Sequence, residues 1–133
     1  MKTKSLAKLT PGPLSGFRWE PGFWKERTET NRRVTIPACY RKLEETGRIE
    51  NWRLSWKEGE EKPHFFWDSD TAKWIEAAAC SLETRKDARL EKRVDDLIDL
   101  IAAAQQPDGY LNTYFTAVEP DRRWSNLMYL HEL

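Results

Sequence analysis

The chain has 133 residues, its 22 lysines and arginines are matched by 22 aspartates and glutamates, and 39% of it is hydrophobic. That length supports one ordinary core, burying roughly 68% of the extended-chain surface, and argues against two independent domains. The composition excludes a disordered chain, no run approaches the ~18 apolar residues of a membrane span, and the lack of a basic excess argues against nucleic acid as a partner.

The opening, Met1 to Pro11, is basic, but Lys8 and Pro11 leave no apolar stretch for a secretion signal. Two cysteines, Cys39 and Cys80, form neither a Cys-x-x-Cys pair nor a disulfide framework, so the default expectation is a cytoplasmic protein. Residues 1–23 hold Pro11, Pro13 and Pro21 with Gly12, Gly16 and Gly22, a density that opposes helix. They predict an extended lead-in, a short strand or a strap carrying Phe17, Trp19 and Phe23. From Trp24 to Thr46 the composition turns helical and stops at Gly47, a natural residue after a helix end. An interior proline costs ~3 kcal/mol, so Pro37 divides this stretch into two pieces and sits near the start of the second.

Arg48 to Phe66 is polar and aromatic and reads as a long loop, a class that is often functional. Asp68, Ser69 and Asp70 offer cap oxygens to a helix with Trp74, Ile75, Ala78 and Leu82 on one face. Asp87 caps the next, where Leu90, Val94, Leu97, Ile98, Ile101 and Ala104 recur at spacings of three and four. Gln105 to Gly109 forms a turn, and Tyr110 to Asp121 reads as an extended loop. Ser125 caps a last helix, Asn126 to Leu133, which stops without Gly, Pro or a cap, so the chain reads as cut off.

Seven tryptophans stand out. Their flat faces favour core and surface packing and also suit the C–H faces of sugars. Asp68 and Asp70 fit the ~5–9.5 Å separation of a glycosidase carboxylate pair, but capping is the stronger reading, because an easily ionised cap is a poor general acid. Asp70 is the one that also reaches a ligand. Cys39 and Cys80 lack neighbouring ligands and read as buried structural thiols. His131 lies early in the last helix, and the chain stops before an H-E-x-x-H zinc motif is complete. Nothing near His64 in sequence organises it. No phosphate-cradling loop or nucleophile elbow occurs.

Five blocks in order are more specific than any one: Gly22-Phe23-Trp24; Thr46 to Asn51; Trp67-Asp68-Ser69-Asp70 with Lys73-Trp74; Gln105 to Tyr114; and Asn126 to Leu133 with His131-Glu132-Leu133. Together they resemble the start of glycoside hydrolase family 127, the β-L-arabinofuranosidase-like proteins. The resemblance implies a mainly α fold, with 24–133 as the N-terminal portion of an incomplete (α/α)6 barrel behind the extended segment 1–23. It implies hydrolysis of arabinofuranosides or related plant-derived sugars, with a carbohydrate as partner.

In the family a zinc-bound cysteine thiolate acts as nucleophile and a glutamate as acid/base. The zinc is held by a glutamate and three cysteines, two of them adjacent. No Cys-Cys pair occurs here, so the catalytic residues are expected downstream of Leu133, and a fragment without zinc or activity is the expectation. By the same resemblance His131 contacts a sugar hydroxyl, Asp68 and Asp70 stand at the tip of an early inner helix as substrate-binding candidates, and Gln105 to Tyr114 lies near the barrel mouth. A family glutamine contact has Arg48 and Asn51 as its nearest polar counterparts. Alternative readings are a non-catalytic helical module binding protein or sugar, or another (α/α)6-barrel enzyme such as a sugar epimerase or an unsaturated-uronide hydrolase.

Overall fold

The computed structural model describes residues 12–125, and among them there is no strand. Helix α1 (Phe23–Thr30) runs through a π-helical turn (Asn31–Thr35) into α2 (Ile36–Glu45). The hairpin α3 (Trp67–Thr84) and α4 (Ala88–Ala104) follows, then the short α5 (Thr113–Ala117). No helix among the described residues is long and apolar enough to cross a membrane. The mainly α class read from the sequence holds.

Pro37 sits near the start of the second of two helical pieces, as expected, and a π turn joins the two without a break. In the π turn the Ile36 N–H donates to Asn31 O, five residues back, and Pro37 then falls in the first turn of α2, where its missing N–H loses nothing. The widened turn also gives the ring room against the carbonyl four residues earlier, the clash that normally kinks a helix. At the far end Gly47 adopts φ 74°. Its N–H donates to Glu44 O at 3.1 Å and the Arg48 N–H reaches Leu43 O at 3.0 Å, a Schellman closure that fixes where Arg48 leaves the helix.

Packing follows the apolar faces. Ile36 and Leu43 of α2, Trp74 and Ala78 of α3, and Leu90, Val94, Leu97 and Ala104 of α4 enclose one core with Trp52. Trp52 is the residue the loop reading missed: a 3₁₀ turn at Glu50–Arg53 drives it inward to 1% exposure. Its indole N–H donates to Thr71 Oγ1 at 2.9 Å, and the Trp74 indole N–H donates to Ile36 O at 2.9 Å. Both buried indoles thus tie α3 to its neighbours by hydrogen bond as well as by area. Asp87 caps α4 as expected, its carboxylate accepting from the Arg89 and Leu90 N–H groups at 3.1 Å each.

The lead-in carries a 3₁₀ turn (Leu14–Gly16) rather than a strand, and the Ser15 N–H donates to Glu83 Oε1 on α3 at 3.3 Å. Tyr110 to Asp121 is not wholly extended either. Asn112 accepts from the Phe115 N–H at 2.9 Å and caps α5, burying Thr113 and Phe115. Cys39 and Cys80 are both exposed, which corrects the buried-thiol reading. Cys39 lies along an open groove between α2 and α3, and Cys80 lines a second groove beside the lead-in. The helix expected from Asn126 onward, His131 included, falls on residues outside those described.

Replacing Trp74 with alanine removes a buried ring and the α2–α3 hydrogen bond together. The expected loss is ~3–5 kcal/mol, seen as a lower urea midpoint at an unchanged slope in equilibrium unfolding.

Candidate functional site

The N-terminal end of α3 meets both long loops. Asp68 sits there at 1% exposure, inside the first helical turn. One carboxylate oxygen accepts the Thr113 N–H at 2.6 Å and the other accepts the Thr113 hydroxyl at 2.6 Å. Asn51 Nδ2 also hydrogen-bonds to that hydroxyl oxygen, so α3, the first loop and the second loop converge on one threonine. The second loop arrives through a turn in which the Gly109 N–H donates to Gln106 O at 2.8 Å and the Tyr110 N–H to Asp108 Oδ1 at 3.0 Å. Gly109 at φ 86° takes the left-handed conformation that this turn needs.

The capping role read for Asp68 and Asp70 does not hold. The residue preceding α3 is Phe66, and no side chain caps the helix there. A buried Thr113 N–H left without an acceptor would forfeit ~1–3 kcal/mol, more than a surface cap returns, and Asp68 is committed to it. Asp68 therefore faces Thr113 rather than an open cleft.

Asp70 does open to a cleft. Its Oδ2 accepts from Arg48 Nε at 2.7 Å, and the Arg48 guanidinium lies 5.0 Å over the Trp67 ring. Lys73 Nζ donates to Ser69 Oγ at 3.0 Å, and His64 Nδ1 accepts the Phe66 N–H at 3.2 Å. These side chains line a space of about 490 Å³. Asp68 and Asp70, two residues apart, thus serve separate environments. Of the residues in this cleft, His64 and Lys73 carried no functional signal in the sequence. Arg48 had one, as a nearest polar counterpart of the family glutamine contact.

Among the described residues no group of three or more His, Cys, Asp or Glu side chains could hold a metal ion. The zinc implied by the resemblance does not fit these residues, and no chemical step passes through it here. Tyr110, beside the clamp that Asp68 forms on Thr113, has its phenol pushed above the ordinary 10.0, first by burial, with Asp68 and Asp108 adding to the rise and Arg123, 4.5 Å over the ring, opposing it.

Hairpin-linked helices whose loops gather polar and aromatic side chains at one end have the layout of an all-α enzyme domain. The model of the β-L-arabinofuranosidase, GH127 catalytic domain matches residues 17–133, and the chain belongs to this family, glycoside hydrolase family 127. It is similar to a non-reducing end β-L-arabinofuranosidase of Bifidobacterium longum subsp. longum, 44% identical over 51% of this chain and 11% of that protein. Two solved structures share the fold. A β-L-arabinofuranosidase of Geobacillus stearothermophilus gives a TM-score of 0.78 at 44% identity over 86% of this chain and 20% of its own. Another family 127 β-arabinofuranosidase gives 0.74 at 38% identity over 80% of this chain and 17% of its own. The chain thus spans a fifth or less of the length of these relatives, and the paired helices described above are part of the (α/α)6 fold of the family.

Two outcomes follow from this geometry. Asp68→Ala strands the Thr113 N–H and is expected to lower stability by ~2–3 kcal/mol in urea unfolding, whereas Asp70→Ala, at a half-exposed ion pair, lowers it by less than ~1 kcal/mol. For Tyr110 the unfolded phenol ionises first, near pH 10, while the folded one holds its proton. Stability is full below that pH and is lost as pH rises through the folded value. Tyr110→Phe is expected to reduce the fall in urea midpoint between pH 9 and 11.

Proposed function

We propose that this chain forms the N-terminal helical part of the catalytic domain of an enzyme that hydrolyses β-L-arabinofuranosides or related plant-derived sugars. The observation that carries the reading is identity of 38–44% sustained over at least 80% of the chain with structures of that named activity, at TM-scores above 0.7. A cytoplasmic location belongs to the same proposal. In it, Asp70 and His131 contact sugar hydroxyls, and Asp68 acts through Thr113 as a positioning residue. The clamp holds the Gln105–Tyr114 loop against α3, so that groups on that loop meet the sugar already oriented.

We also infer that the 133-residue polypeptide alone does not cleave glycosides. What supports this reading is that the chain spans a fifth or less of the length of the solved relatives, so most of the domain that carries their activity has no counterpart here. Incubation with p-nitrophenyl β-L-arabinofuranoside, with and without zinc, is expected to release no p-nitrophenol. Zinc-dependent turnover would contradict this.

The substrate reading is tested separately by a chimera in which this chain replaces the matching segment of the Geobacillus stearothermophilus relative. The chimera is expected to hydrolyse the arabinofuranoside, and Asp70→Ala within it to lower kcat/KM about tenfold, a loss of ~1.4 kcal/mol in transition-state binding. A folded chimera without activity on that glycoside counts against the assignment.

A further inference from the structure

The cleft at the start of α3 has more hydrogen-bond donors than a neutral sugar needs. Arg48 uses only Nε on Asp70, so the outer edge of its guanidinium, with both Nη groups, keeps its donors. Asp70 on one edge and the Trp67 face beneath hold that guanidinium in a single orientation, and Arg48 is only 27% exposed. A guanidinium fixed in this way gives up little further entropy when it receives a carboxylate end-on, on its two Nη groups. Lys73 spends one donor on Ser69 and keeps two. His64, accepting at Nδ1 from Phe66, presents Nε2–H as a donor. The cleft thus sets two cationic side chains and an imidazole donor against one carboxylate, with an indole wall.

Each feature limits the ligand. The surplus positive charge asks for an anion. The carboxylate of Asp70 repels a doubly charged phosphate but accepts a hydroxyl from a singly charged ligand. A hydroxyl acceptor on Asp70 beside an anion site asks for a hydroxylated carboxylate, which in a glycoside hydrolase family means an acidic sugar. We propose that this cleft is a carbohydrate subsite for a uronic acid, with the sugar carboxylate on the outer edge of Arg48 and on Lys73, and a ring hydroxyl on Asp70. The inference deepens the proposed function, since it shares the Asp70 contact to a sugar hydroxyl, but its readout is binding rather than hydrolysis, so the two can fail separately.

The test is an NMR titration of the isotope-labelled 133-residue chain, repeated in the chimera, with methyl β-D-glucuronide, methyl β-D-glucoside and inorganic phosphate. The glucuronide is expected to shift the Trp67 indole and Arg48 Nε–H signals with a dissociation constant on the order of millimolar. The glucoside, which differs at the carboxylate, is expected to bind about tenfold more weakly, and salt is expected to weaken the glucuronide. Lys73 is exposed and outside the core, so Lys73→Gln should keep the fold and lower glucuronide affinity about threefold or more. Equal affinity for glucoside and glucuronide overturns the proposal. So does tighter binding of phosphate, or no shift at these residues with about 20 mM glucuronide, a concentration well above the expected constant.

Discussion

The arrangement at the head of α3 depends on one buried carboxylate. Asp68 is removed from solvent and spends both oxygens on Thr113, a residue 45 positions away in sequence. A buried carboxylate is tolerable only when its lone pairs are used, and a buried backbone N–H only when it finds an acceptor. Each group meets the requirement of the other. Asn51 joins the same hydroxyl, so three segments without periodicity of their own acquire fixed positions. The side chains that line the adjacent cleft inherit their placement from this junction.

Around it, the core supplies stability and the helix ends supply direction. Trp52 and Trp74 contribute large buried faces, and their N–H donors choose particular partners on α3 and α2. Apolar area alone would allow the helices to slide, whereas an indole donor with one acceptor fixes the register. The Schellman closure at Gly47 then delivers Arg48 to α3 at the level of Asp70 and Trp67. Exposed aromatics are concentrated elsewhere, on the lead-in and α1, where Phe17, Trp19, Phe23 and Trp24 stay outside the core.

What could be read in the residues follows the range of the forces involved. The α3–α4 hairpin was legible because its apolar spacing and the Asp87 cap are local. The Gln105–Gly109 turn was legible because proline and glycine act on their own backbone. The burial of Trp52 was not, since it depends on Thr71 across the core, and α5 was too short for periodicity to register. The clamp was misread for the same reason. Asp68 at a helix start looks like a cap until Thr113 is brought beside it, and no spacing rule links positions 68 and 113. The exposure of both cysteines likewise depends on which helix flank finds a neighbour. The block pattern reached further than local physics because it carries the family relation whole.

The π turn before Pro37 leaves one more consequence. A π turn adds one residue to a helix, so it acts as a phase shift of about 100° between the segments on either side. The aromatic face of α1 and the buried Ile36–Leu43 face of α2 are thereby set out of step, although the backbone between them is unbroken. Removing a single residue from Asn31–Thr35 would bring the two back into phase and turn Phe23 and Trp24 toward a different side of the molecule. The length of this five-residue segment, more than its composition, governs which way the front of the chain faces.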